Sequence, residues 1–97
     1  MGVKFYREYR DIVDDLSQAL LTINDCYLAF YMNPDDWQEL DSEEQSECVR
    51  TLADDVFYGL GKEPKLKVGS GQVLYDQTHH LIKVYPNAQI VHLVKLN

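Results

Sequence analysis

The sequence predicts an α+β fold, with two main helices packed on one face of a four-stranded antiparallel meander. Three observations carry that expectation. Apolar residues recur at three and four positions up to Leu60, and they alternate at every second position after Pro64. The charge changes sign at the same boundary. Residues 1–60 hold fourteen acids and four bases, a net −10, whereas residues 61–97 hold two acids and five lysines, a net +3. A single domain over 1–97 is expected, made of an acidic helical part (1–61) and a β-meander (62–97).

The first predicted helix is long, running from Phe5 to about Tyr31. Tyr9, Leu16, Ile23 and Phe30 recur every seven residues, with Ile12, Ala19 and Cys26 as a second row. Val13, Leu20 and Tyr27 lie beside them, so the apolar stripe is wider than a two-stranded seam. Such a helix would run about 40 Å at 1.5 Å per residue. One small domain does not readily cover that stripe, which predicts a homodimer. A one-turn helix is expected next, with Asn33 as cap, Pro34 in the first helical position and Asp35 and Asp36 facing the positive dipole end. A second start follows, where Asp41 with Glu44, or Ser42 with Gln45, has capping-box spacing. That helix buries Cys48, Val49, Leu52, Ala53, Val56, Phe57 and Leu60, with Gly61 and Pro64 as stop signals.

Four short strands should follow, joined by turns at Gly69-Ser70-Gly71, Asp76–His79 and Pro86-Asn87. The inner face is expected to carry Leu66, Val68, Val73, Tyr75, His80, Ile82, Val84, Ile90, His92 and Val94. The outer face mixes lysines 65, 67, 83 and 95 with Leu74, Leu81, Val91 and Leu93. A sheet with one wet face alternates more cleanly than this. Leu74, Leu81, Val91 and Leu93 are therefore candidate partner-binding residues, for a second subunit or another protein.

An apolar fraction of 45 % in 97 residues is enough for one core, so global disorder is not expected. The start, Met-Gly-Val-Lys-Phe-Tyr-Arg-Glu, lacks the apolar run of a signal peptide, and Tyr6 stands where a myristoylation signal needs Ser or Thr. No apolar run reaches the length of a membrane span. A cytoplasmic protein without membrane association is the expectation, with Cys26 and Cys48 reduced and acting as small apolar residues.

Among the acids, Glu8, Asp11, Asp15 and Asp25 fall in one row along the first predicted helix. They are candidate partner-binding residues that would mimic nucleic acid in a partner's basic groove, as against a solvated flank or one neutralised by the chain's own lysines. The adjacent pairs Asp14-Asp15, Asp35-Asp36 and Asp54-Asp55 point in different directions on a helix, which disfavours shared acid–base work. His79 and His80 are neighbours in sequence, and no Cys-x-x-Cys, His-x-x-x-His or Glu-x-x-His spacing occurs. Gly69-Ser70-Gly71 joins two strands, unlike a phosphate loop. No catalytic residue, metal or cofactor is therefore assigned, and direct nucleic-acid binding is disfavoured by the acidity. The expected function is a small non-catalytic regulatory protein that binds a partner protein. The alternatives are an acidic inhibitor of a nucleic-acid-binding protein, or a small enzyme or ligand-binding domain. The latter would use Tyr27, Tyr58, Tyr75, His80 and His92 around a pocket between helices and sheet.

Overall fold

The structure is a computed structural model that describes residues 2–97. The first helix, α1 (Tyr9–Leu21), is 13 residues long, about half the predicted span. It stops where Thr22-Ile23-Asn24-Asp25 brings together two β-branched residues and two Asx residues, all poor helix formers. The Thr22 hydroxyl donates to the Ala19 carbonyl, and the Ile23 amide tightens to the Leu20 carbonyl. The chain then bends into a 3₁₀ helix, Cys26–Phe30, that ends with Tyr31 at φ 60°. Ile23 and Cys26 stay buried because the chain folds back, not because one stripe continues.

The short helix α2 (Pro34–Glu39) starts as the sequence predicts, with Asn33 Oδ1 accepting from the Asp36 amide at 2.8 Å. Its Trp37 stacks on Phe30 at 6.0 Å between ring centroids. Gln45 Nε2 donates to the Trp37 carbonyl at 2.8 Å, tying α2 to the next helix. That helix, α3 (Ser42–Leu60), opens on a capping box between Asp41 and Glu44. It ends at Gly61 in right-handed geometry, φ −69°. Glycine is needed there for a different reason from a left-handed stop. A Cβ would lie 2.6 Å from Gly2 Cα, where the N-terminal segment crosses the helix end.

The sheet consists of β1 (Lys65–Val68), β2 (Gly71–Asp76), β3 (Leu81–Asn87) and β4 (Ile90–Lys95) in the order β1-β2-β3-β4. All pairings are antiparallel, so the meander is as predicted. Gly69 supplies the positive φ, 56°, that the tight β1–β2 turn needs. A bulge between Val84 and Asn87 interrupts the β3–β4 pairing.

Ile12, Leu16 and Leu20 of α1, and Val49, Ala53, Val56 and Leu60 of α3, pack on Val68, Val73, Ile82, Val84, Val94 and Leu96. The helix α1 lies over β3 and β4, and α3 lies over β1. Residues before α1 strap the sheet's other end to the helices. The Tyr6 amide donates to the Leu96 carbonyl at 2.6 Å, and the Lys4 amide to the Tyr75 hydroxyl at 3.1 Å. Arg7 donates to the Lys95 carbonyl and pairs with Asp15, both at 2.9 Å. Two inner-face assignments differ from expectation. His80 sits in the β2–β3 turn at φ 55°, not in a strand, and Ile90 is exposed because it begins β4 beside the bulge.

Candidate functional site

Both main helices cover one face of the sheet, and among the described residues no helix packs on the other face. Strand register turns that outer face into an ordered grid. One row across the strands reads Lys65, Leu74, Lys83, Leu93. The row beside it reads Asp76, Leu81, Lys95. On the other side, Lys67, Gln72 and Tyr85 lie across from one another, with Val91 beyond the bulge. Leucines and lysines therefore alternate across the Lys65–Leu93 row, and every leucine of the face has a lysine as a cross-strand partner.

Leu93 is 54 % exposed and Val91 44 %, while Leu74 and Leu81 are half-buried by their neighbours. All four predicted apolar residues thus lie together on one uncovered surface. Tyr85, which strand alternation also assigns to this face, divides it into two shallow grooves. One, of about 320 Å³, is lined by Asp76, His79, Leu81, Lys83, Tyr85, Val91 and Leu93. The other, of about 410 Å³, runs past Ser70, Gln72, Leu74 and Tyr85 to Asn87 and Ala88. Tyr85 falls two residues from Lys83 in the strand pattern, so its position on the outer face is readable from sequence. Its place between the grooves depends on the bulge and is not.

Polar groups at the end of this face are fixed. Asp76 Oδ2 lies 2.8 Å from His79 Nδ1 and 3.1 Å from Lys83 Nζ, and its Oδ1 accepts the His79 amide. The hydrogen bonds from the His79 ring and amide, with a smaller contribution from Lys83, hold the Asp76 carboxyl down at about 2. Lys65, Lys67 and Lys95 form no ion pair among the described residues.

The acidic candidates separate. Glu8 and Asp11 remain exposed at the start of α1, Glu8 as its N-cap and Asp11 in the first turn. Asp15 is paired with Arg7, and its neighbour Asp14 with Arg50. Asp25 leaves the row altogether, because α1 ends before it. Its Oδ1 accepts the Ser70 amide at 2.9 Å and the Ser70 hydroxyl at 3.0 Å, pinning the β1–β2 turn to the helical layer. One ground for expecting a dimer, a continuous 27-residue stripe, is absent with the long helix; the open sheet face is the ground that stays.

The residues weighed for a pocket between helices and sheet do not converge. Tyr58 lines a cleft of about 470 Å³ with Gly2, Val3, Phe57, Gly61 and Lys62, whereas Tyr75 borders a separate one. Tyr75 is engaged with Lys4, Tyr27 packs near Trp37, and Tyr58 is 74 % exposed. His80 lies in the turn against Tyr6, its Nδ1 buried without a partner, while His92 pairs with Val84 across β3–β4. Cys26 is buried and free, its thiol pushed up chiefly by burial and further by Asp25, which makes it a poor nucleophile. Cys48 is free and half-buried. Among the described residues no three His, Cys, Asp or Glu side chains are grouped to hold a metal ion, and no helix is long and apolar enough to cross a membrane. No family model matches the chain, and neither a curated protein nor a solved structure matches it.

Proposed function

We propose that this chain is a small non-catalytic binding module, acting in the cytoplasm on a partner protein through the outer face of its sheet. One observation carries this reading. The face opposite the helices holds Leu74, Leu81, Tyr85, Val91 and Leu93 together, and no helix among the described residues covers them. Single exposed apolar residues are ordinary, but a contiguous set with charged neighbours is typical of interaction surfaces. The tyrosines and histidines weighed for a pocket lie apart from one another, which gives the enzyme reading less support. The acidic surface is the weaker candidate, since Asp14 and Asp15 are neutralised by the chain's own arginines and Asp25 is used internally.

Affinity capture from cells of the native host separates these readings. Three baits are needed: the natural chain, a Leu81→Ser, Leu93→Ser variant, and an Asp11→Asn, Asp15→Ser variant. The outer-face reading expects a protein retained by the first and third baits and lost with the second. Loss with the third bait alone would transfer the function to the acidic helical surface. Identical capture by all three would remove both surfaces.

A further inference from the structure

The outer face carries a charge opposite to that of the rest of the molecule. Its four lysines, 65, 67, 83 and 95, face one carboxylate, Asp76, a net +3 on a chain whose total is −7. Each leucine in the grid has a lysine across the strand: Leu74 lies between Lys65 and Lys83, Leu81 beside Lys95, and Leu93 beside Lys83. From this we infer that the face takes an acidic amphipathic helix of a partner protein, with leucine-type side chains seated between the lysines and carboxylates on them. This rests on the reading of the outer face as the binding surface and names the chemistry of what binds there.

Charge and shape favour that occupant over a second copy of the chain. Four strands about 4.8 Å apart and about six residues long at 3.3 Å each give a face on the order of 400 Å². Two copies stacked face to face would bring lysines against lysines across a gap of about 10 Å. A second copy's acidic flank offers charge without leucines, because the apolar stripes of α1 and α3 are already in its own core. A helix about 10 Å wide, by contrast, fits within the breadth of four strands and mirrors the way α1 lies on the inner side. A nucleic-acid strand would satisfy the lysines but offers no aliphatic side chains to seat beside Leu74, Leu81 and Leu93.

Nuclear magnetic resonance titration of the full chain tests this. The probe is a peptide of about 14 residues, ~21 Å as a helix, with Leu at helical spacing and Glu elsewhere. Its counterpart has Lys for every Glu, and a single-stranded oligonucleotide is the third arm. Saturable shifts are expected with the acidic peptide only, confined to outer-face residues such as Leu74, Leu81, Lys83 and Leu93. Affinity should fall about tenfold between roughly 0.05 and 0.5 M salt. The Lys65→Glu, Lys95→Glu variant, with an unchanged fold by spectral dispersion, should lose the acidic peptide and gain the basic one. Several results would overturn the inference: no saturable shift with the acidic peptide, equal binding of both peptides, preferential binding of the oligonucleotide, or shifts on the helical side. A dimer in sedimentation that dissociates on Leu81→Ser, Leu93→Ser would give the face to a second copy instead. If those leucine substitutions abolish cellular capture while neither peptide binds, the binding face stands and only the partner's proposed chemistry fails.

Discussion

Asp25 and Asp11 share a helical row on paper, yet they do different work once the chain folds. Asp25 holds the Ser70 amide and hydroxyl across the molecule, whereas Asp11 accepts no side-chain bond from the body of the fold. Asp25→Ala should therefore lower stability by about 1 kcal/mol or more, and Asp11→Ala should stay within about 0.5 kcal/mol. Urea unfolding of the two variants measures the difference directly. Two other side chains set limits of pH. Asp76 is held near 2, so its contribution is fully present above its ordinary pKa of 3.8 and is lost as the pH falls through about 2. Removing the ring in His79→Ala should bring the Asp76 carboxyl titration, followed by carbon chemical shift, back toward 3.8. Tyr9 behaves in the opposite sense. Burial, and then its 2.7 Å bond to Asp54 and that group's charge, push the phenol up to about 12. The neutral phenol is favoured in the fold, so its contribution is present below about pH 10 and is lost as the pH rises through about 12. Tyr9→Phe should flatten alkaline destabilisation in that window.

Helix α3 and the four strands were legible in the sequence because each is marked twice, by periodicity and by a local stop or start. The Asp41–Glu44 box, Gly69 and the alternation from Leu66 onward are local chemistry that the fold does not override. The first helix was overextended for an equally physical reason. Its seven-residue apolar repeat continues through Phe30, and the bend at Thr22–Asp25 keeps Ile23 and Cys26 buried by changing direction. Periodicity reports burial, and it does not distinguish a straight element from two that fold onto the same core. Poor helix propensity at 22–25 was the available signal. His80 was misplaced for a related reason, since alternation cannot register a residue that turns into left-handed geometry. Core positions make this assignment measurable. Leu16→Ala and Leu52→Ala should each cost about 2–5 kcal/mol, whereas Lys67→Ala should stay within about 0.5 kcal/mol. Denaturant melts that placed Lys67→Ala below Leu16→Ala in stability would invert the assigned faces.

With a radius of gyration of 12.8 Å, the chain matches the roughly 12.5 Å expected of a folded domain of its length. Its core lies between the helices and one face of the sheet, while Val91 and Leu93 stay exposed on the other face. Charge is arranged in the same sense, with acids gathered on the helical layer and lysines interleaved with leucines on the bare face. The outer-face placement of Leu74, Leu81, Val91 and Leu93 was readable from strand alternation, while the grid they form required the strand register. The acidic row was legible only in part, because α1 ends before Asp25 and Arg7 pairs with Asp15. The central claim is that the partner seats on the bare sheet face. Methyl cross-saturation in the complex with the captured partner tests it most directly. The account predicts transfer to the methyls of Leu74, Leu81, Val91 and Leu93, and none to Leu16 or Leu20 in the core. Transfer confined to methyls on the helical side, with the sheet face silent, would contradict it.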